Sequence, residues 1–215
     1  RTKFTLVEAE NQVVVTTEFD VPDVSGKLNL IYIITADGKV KVDYKFSSSM
    51  QDMPMIPRVG MNLELFAELN NITYFGRGPQ ENYRDRHTAA HVGLYHSKVS
   101  QQYHPYIRPQ ESGYKTQVRW LHLTNQQGVG LKITGAPHFG MSALHYRISD
   151  LDPGMRRSQT HSGELQPRPL VSLNIDYGQM GVGGVNSWHT TALPEYTLTA
   201  SEYEYSFTLQ GVNIN

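Results

Sequence analysis

The chain has 215 residues, a net charge of −1 at pH 7 and 18% charged residues. This length suits one large domain, and the scattered basic side chains argue against a nucleic-acid partner. No apolar run approaches the roughly 20 residues that a membrane helix needs, so no membrane partner is expected. The absence of cysteine excludes a disulfide framework, a thiol nucleophile and a thiolate metal site. The sequence begins at Arg1 without an initiator methionine or a signal-peptide pattern, and we interpret it as part of a longer polypeptide.

The first third of the sequence predicts an antiparallel sheet. Residues 5–8 and 13–20 alternate or are β-branched, which is typical of strands. Residues 27–35 and 39–47 flank an Asp-Gly turn signal and predict a hairpin, whose second arm alternates apolar and charged side chains. Residues 58–69 carry apolar side chains at alternate positions and predict a further strand.

The middle of the sequence combines predicted strands with an unusual loop. A strand is predicted for residues 72–75, and the stretch 76–86 that follows is dense in glycine, proline, amide and charged residues, which indicates an ordered loop. Residues 88–95 are interpreted as a short helix and residues 99–110 as an extended aromatic segment. Two further strands, predicted to form a hairpin, comprise residues 115–124 and 129–134.

The last third of the sequence also predicts mainly strands. A turn at residues 150–154 and a short helix at residues 155–161 precede a continuous apolar run at 170–175, which indicates a buried strand. A last hairpin is predicted for residues 194–200 and 201–210. Many strands, regular turn signals and no repeat period favour an all-β, antiparallel sandwich that forms a single domain over residues 1–215.

A glycine-rich segment follows the predicted buried strand. Residues 176–188 contain Gly178, Gly181, Gly183 and Gly184 and end in Trp188. Glycine lets a backbone approach a ligand closely, so the segment suits a loop that holds an aromatic ring at the edge of a β scaffold. The composition alone favours a tight turn with the indole buried in the core, because large aromatic side chains usually pack.

Four passages resemble the C-terminal domain (domain 5, the small-chain type) of the family 2 glycoside hydrolases known as β-galactosidases. They are Pro-Arg-Val-Gly-Met-Asn-Leu at 57–63, Gly-Arg-Gly-Pro-Gln-Glu-Asn-Tyr-Arg-Asp-Arg at 76–86, Tyr-Ile-Arg-Pro-Gln-Glu-Ser-Gly at 106–113, and Leu-Asn-Ile-Asp at 173–176 with Gly-Val-Gly-Gly-Val-Asn-Ser-Trp at 181–188. The resemblance spans nearly the whole chain and is weakest in the first fifty residues.

The resemblance implies a galactose mutarotase-like β supersandwich, with further strands upstream of Arg1, that packs against a separate catalytic barrel domain of the full enzyme. It implies that Trp188 reaches the active site and stacks on a galactoside substrate or its aglycone. The Mg²⁺ and Na⁺ of the family belong to other domains, so no cofactor or metal is expected in this chain. Val185 stands where the family usually has an acidic residue, which leaves the hydrogen bonding of the Trp188 loop open.

A retaining glycosidase works with two carboxylates about 5–5.5 Å apart. The candidates in this sequence are Glu81 with Asp85, Glu111, and Asp150 with Asp152. Glu81 and Asp85 lie among three arginines, which predicts a structural ion-pair network, because a catalytic acid needs a raised pKa. Asp150 and Asp152 are interpreted as turn residues. The resemblance implies that the catalytic pair belongs to the barrel, and this chain alone is predicted to be inactive.

Two other functions remain open on the sequence. A sugar-binding module without catalysis would stack its ligand on Trp188, Tyr177, Trp120 and the tyrosines of residues 103–106. An aldose epimerase would need a histidine and a glutamate on one concave face. The candidates for that pair are His138 or His161 with Glu164 or Glu111.

A metal site is not predicted. His87 and His91 have a helical ligand spacing, but the glutamate that accompanies such a pair in a zinc protease is absent. The sequence leaves open which galactoside is preferred, whether the full enzyme is a homo-oligomer, and whether it is cytoplasmic or periplasmic in a bacterium.

Overall fold

The protein is described by a computed structural model that covers residues 1–152, 154, 160–183 and 190–214. Its regular elements in these ranges are eleven strands, one short helix and single 3₁₀ turns. The strands are β1 Lys3–Ala9, β2 Gln12–Val21, β3 Gly26–Thr35, β4 Val40–Ser48, β5 Arg58–Phe66, β6 Asn71–Gly78, β7 His91–Lys98, β8 Lys115–Thr124, β9 Val129–Leu144, β10 Leu170–Gln179 and β11 Glu202–Asn213, and the helix is α1 Ile148–Leu151. Within the described ranges, no helix has the length and apolar character needed to span a membrane.

The strands form one antiparallel, hydrogen-bonded network. Its main path runs β1-β2-β3-β4-β11-β9-β8-β6-β7, and a branch leads from β9 to β10 and on to β5. The 16-residue strand β9 joins the two parts, because residues 129–136 pair with β11 and residues 140–144 pair with β10. The predicted all-β, antiparallel fold is confirmed.

The core lies between the branch and the main path. Tyr74, Leu121 and Phe207 from the main path and Leu173 and Ile175 from the branch are almost fully buried in one hydrophobic cluster. Burial of apolar side chains from both parts explains why the arrangement is sandwich-like. The prediction of a buried strand at residues 170–175 is confirmed, since β10 is covered on both faces there.

Two local predictions are wrong. Residues 88–95 do not form a helix: their second half lies in β7, which pairs residue by residue with β6, and Gly93 in its middle disfavours a helix. The last hairpin does not form either, because Pro194–Tyr196 is a 3₁₀ turn and both edges of β11 are occupied by β4 and β9. The helix predicted for residues 155–161 falls mainly on residues outside the described ranges.

Three neighbouring strands lose their regular register. Strand β10 has a bulge between Asp176 and Gly178 where it pairs with β5. The pairing of β8 with β9 shifts between Lys115 and Trp120, so that residues 135–138 of β9 have no partner in β8. Bulges re-aim side chains and are frequent beside functional sites. These irregularities border the first of two clefts.

Candidate functional site

The first cleft has a volume of about 450 Å³ and lies where β8, β9 and β10 are irregular. Gln117 of β8, His138 of β9 and Tyr177 of β10 line it. Gln117 has a φ of 52°, a left-handed conformation that costs a non-glycine residue on the order of 1 kcal/mol. Such local strain persists only where the surrounding structure maintains it. Side chains from three strands line this one cavity.

Tyr177 is a half-exposed ring in an otherwise covered strand. It is 43% exposed, while the residues on either side of it in β10 are buried. The bulge between Asp176 and Gly178 explains this exposure, because one extra residue turns the side chain out of the core. The ring makes edge contacts with Tyr203 at 5.2 Å and Tyr205 at 6.4 Å, which hold it in place.

Arg58 is the centre of a buried polar cluster beneath this bulge. Its Nη2 donates a hydrogen bond of 2.8 Å to Oε1 of Gln179 and forms an ion pair with Glu111, and its Nε lies 3.4 Å from Oδ2 of Asp176. Asp176 is fully buried, and Gly60 of β5 makes room for it, since a Cβ there would lie 2.0 Å from Oδ1. One guanidinium therefore compensates two carboxylates and connects residues on both sides of the bulge.

Burial shifts the protonation of both carboxylates of the cluster. It raises the pKa of Asp176 to about 7. The negative charge of Glu111 adds to this increase, and the positive charge of Arg58 opposes it. Burial also raises the pKa of Glu111 against the attraction of Arg58. The cluster separates the two clefts: Arg58 and Glu111 line the second cleft, Tyr114 beside Asp176 lines the first, and Gln179 lines both.

The second cleft has a volume of about 560 Å³ and lies at the end of β10. Gly181 and Val182 line it on one side of residues 184–189, and residues 190–192 line it on the other. Trp188, the predicted stacking residue, and Val185, the departure from the family pattern, are outside the described residues. The described chain on both sides of that segment thus borders one cavity.

Asp85 holds the main chain that leads into this segment. Its Oδ2 accepts a hydrogen bond of 2.7 Å from the main-chain N of Gly183, and its Oδ1 accepts one of 3.2 Å from Val182. Gly181 is enclosed, because a Cβ there would lie 2.7 Å from Cγ of Asp85 and 2.9 Å from Cβ of Ala192. The glycine at this position is required by close packing.

The loop at residues 76–86 is fixed by polar contacts, as predicted, but its partners differ in part. Glu81 pairs with Arg86 at 2.9 Å and accepts a hydrogen bond of 2.8 Å from the main-chain N of Gly113. Buried Asn82 donates to the carbonyl of Arg77 at 3.1 Å and accepts from the main-chain N of Thr116 at 2.9 Å. The expectation that Asp85 joins an arginine network is wrong, because main-chain amides bind it instead.

The remaining predicted carboxylates have structural roles. Asp150 pairs with Arg168 at 2.6 Å and accepts a hydrogen bond of 2.8 Å from the main-chain N of Arg147 at the start of α1. The bond to Arg168 lowers the pKa of Asp150, the opposite of what a general acid requires. Asp152 accepts from the main-chain N of Gly154 at 2.9 Å. Asp152 thus bonds within the local chain as a turn residue would, whereas the interpretation of Asp150 as a turn residue is wrong, because it lies in α1.

The histidine and glutamate candidates for an epimerase are not brought together in either cleft. His138 lines the first cleft and Glu111 the second. Glu164 accepts a hydrogen bond of 2.7 Å from the main-chain N of His161 within a 3₁₀ turn, and neither residue lines a cleft. The described residues contain no group of three or more metal-ligating side chains. His91 begins β7, so its helical spacing to His87 does not arise.

The aromatic residues proposed for a stacking platform also lie apart. Tyr177 lines the first cleft and Tyr106 the second. Trp120 packs on His122 at 4.9 Å and lines neither cleft, and Tyr103 packs on Tyr146 at the same centroid distance. The described residues of that set therefore do not form one continuous surface.

Sequence reasoning missed the roles of Arg58, Asp176 and Gln179. For Arg58 and Asp176 the available signal was a charged residue at the end of an apolar strand pattern, inside a passage that resembles the β-galactosidases. Their pairing across β5 and β10 is a long-range relationship, which the spacing of residues along the chain does not reveal.

The profile of the β-galactosidase small chain matches residues 2–209. A β-galactosidase from Priestia megaterium is 36% identical over 209 residues, which are 97% of this chain and 20% of that protein. The chain thus spans about a fifth of the length of this curated relative. Among solved structures, the galactosidase domain of an α-galactosidase-sucrose kinase covers 96% of the chain at 8% identity, with a TM-score of 0.51 and 25% of its own chain matched. An aldose epimerase homologue from C. elegans matches 99% of the chain and 69% of its own at 11% identity and a TM-score of 0.48.

Proposed function

The chain belongs to the β-galactosidase small-chain family, and from this premise we propose that it works as one domain of a β-galactosidase that hydrolyses terminal β-D-galactosides. In this proposal the domain caps the active site, and a catalytic barrel elsewhere in the same polypeptide carries the two carboxylates of a retaining reaction. The observation that carries the proposal is the 36% identity to a β-galactosidase over 97% of this chain.

The second cleft supports a role for Trp188 in this domain. Described residues on both sides of its segment line that cleft, and Asp85 holds the main chain at Gly183 by a hydrogen bond of 2.7 Å. An indole carried by such a segment offers a flat apolar face to a sugar ring or a planar aglycone, at a gain on the order of 1 kcal/mol beyond the buried area. We assign Trp188 to substrate binding.

The described carboxylates support the assignment of catalysis to another domain. Glu81, Glu111, Asp150 and Asp176 each have an arginine partner, and Asp85 binds main-chain amides. A retaining mechanism needs one carboxylate as a nucleophile and the other as an acid and base, both facing the substrate. We assign no metal to this chain, and the Mg²⁺ and Na⁺ expected from the family would be held by other domains.

An activity assay tests whether the catalytic carboxylates lie outside this chain. The 215-residue chain is incubated with a chromogenic β-galactoside, and the complete β-galactosidase polypeptide serves as the positive control. Hydrolysis is expected only from the complete polypeptide and not from the 215-residue chain. Turnover by the 215-residue chain well above the buffer rate would overturn the assignment of the catalytic carboxylates to another domain.

A further inference from the structure

We propose that the first cleft is a second ligand site, and that it binds a neutral saccharide on the ring of Tyr177. This site is separate from the second cleft, and the proposal does not depend on the role given to Trp188 above. Its evidence is the geometry of described side chains that the proposed galactosidase function leaves without a task.

Tyr177 supplies the stacking surface. It is exposed in a strand that is otherwise covered, and its contacts with Tyr203 and Tyr205 fix the ring before any ligand arrives. A ring that is already held loses little conformational entropy on binding, and its apolar face suits the C–H groups of a sugar. The cleft volume of about 450 Å³ lies within the range of small-molecule sites.

Two glutamine amides are oriented to donate hydrogen bonds. Arg77 Nε donates to Oε1 of Gln117 at 3.2 Å, and Arg58 Nη2 donates to Oε1 of Gln179 at 2.8 Å. Arginine is only a donor, so each amide must turn its oxygen to the guanidinium and its NH₂ group elsewhere. Both glutamines line the first cleft, and their NH₂ groups are donors suited to sugar hydroxyls.

The other polar groups of the cleft select for a neutral ligand. Glu195 and Glu204 line it and are exposed, which provides acceptors for hydroxyl groups and repels anions. Arg84 also lines the cleft and offsets part of the negative charge of the two glutamates. Burial and Arg119 lower the pKa of His138, so its imidazole is neutral at pH 7 and offers one donor and one acceptor. Hydroxyl groups, which both donate and accept, match this mixed set.

The strained backbone at Gln117 fits the same site. Its positive φ is one of two among the described non-glycine residues, and it places this side chain on the cleft wall. The cleft is bordered by Gln117 with its positive φ, by the bulge at Tyr177 and by the irregular part of β9 at His138. Departures from regular sheet geometry in β8, β9 and β10 therefore border the proposed sugar site.

Titration of the 215-residue chain with neutral disaccharides, followed by the NMR signals of the Gln117 and Gln179 side-chain amides, tests the proposal. Lactose, maltose and cellobiose are the probes. We expect at least one to shift these signals saturably, with a Kd on the order of millimolar, as one stacked ring with few hydrogen bonds provides. Tyr177→Ala should weaken that binding about fivefold.

Two further variants separate a lost site from a lost fold. Gln117→Asn keeps a residue that tolerates positive φ but shortens the amide, so it should weaken binding in a folded protein. Trp188→Ala should leave the saturable shift of the Gln117 amide in place, because Gln117 lines the first cleft and not the second. No saturable shift with any of the three sugars, or binding that is insensitive to Tyr177→Ala and Gln117→Asn, overturns the proposal. Binding that is lost only in Trp188→Ala also overturns it and would favour the second cleft, whereas the galactosidase role is judged separately by kinetics.

Discussion

The Nε of Arg58 lies 3.4 Å from the Oδ2 of Asp176, a carboxylate with no exposed surface, across the pairing of β5 with β10. The same guanidinium binds Glu111 and Gln179. It thereby connects Asp176, which precedes the bulge at Tyr177, with Gln179, which follows it. The two clefts share this cluster as a common wall, so its integrity affects both.

Replacement of Arg58 by methionine should destabilise the fold. The change leaves Asp176 and Glu111 buried without a cation, and loss of one partner from a buried ion pair costs about 3 kcal/mol or more. Urea denaturation at about pH 8 measures the difference in the free energy of unfolding. Lys45→Met is the matched control, because Lys45 pairs with Glu204 at 3.9 Å on the surface and should contribute less than about 1 kcal/mol. Equal effects of the two substitutions would contradict the role given to Arg58.

The pKa of Asp176 predicts a pH dependence of stability. Burial raises it from 3.8 to about 7 in the folded protein, so the unfolded chain releases this proton at a lower pH than the native state does. The contribution of Asp176 is therefore fully present below about pH 4 and is lost as the pH rises to about 7. Relative to Asp176→Asn, which cannot ionise, the wild-type protein should lose roughly 3–4 kcal/mol across this range.

Paired urea denaturations of the wild type and Asp176→Asn at several pH values test this expectation, since the titration of groups outside the Arg58 cluster cancels in the difference. The two free energies of unfolding should diverge in favour of the asparagine variant as the pH increases. Parallel profiles between about pH 4 and about pH 7 would show that the carboxyl group is ionised in the native state at acid pH.

The contact between Asp85 and the main chain at Gly183 should control the environment of Trp188. In a Trp120→Phe background, Trp188 is the one remaining tryptophan, so its emission reports on its surroundings. Asp85→Ala removes the acceptor of two main-chain amides, and Gly181→Ala forces a Cβ to within 2.7 Å of the Asp85 carboxyl carbon. Both changes should shift the emission and its quenching by acrylamide.

Two controls accompany this experiment. Gly178→Ala places its Cβ in open space, with nothing within 4 Å, and Asp23→Ala alters an exposed turn after β2. Neither should change the emission of Trp188. If Asp85→Ala and Gly181→Ala behave like these controls, the contact between Asp85 and the main chain at Gly183 does not control the environment of Trp188.

Much of the sheet was predictable because local patterns and long-range burial agree there. Val42, Tyr44 and Phe46 alternate with polar neighbours in β4, and the structure buries these three residues as the alternation predicts. The strand β7 escaped prediction because its pattern includes exposed apolar residues: Val92 and Leu94 face outward, so the period of two does not separate apolar from polar residues.

The candidate sites were less predictable, because they depend on pairings between distant parts of the chain. Tyr177 is exposed owing to a one-residue bulge against β5, and the sequence around it shows only an apolar strand that ends in glycine. Asp85 was expected among arginines that are its sequence neighbours, but it binds residues almost one hundred positions away. The resemblance to the β-galactosidases located both segments without indicating that they touch.

The kinetics of Trp188→Ala in the complete β-galactosidase decide whether Trp188 binds the substrate, with Trp120→Phe as the control for a tryptophan that lines neither cleft. We expect Trp188→Ala to raise KM for galactosides on the order of fivefold and to weaken the binding of planar aglycones, with a smaller change in kcat and an unchanged melting temperature. Unchanged kinetics in Trp188→Ala, or a large loss of stability that accounts for the kinetic change, would contradict this expectation.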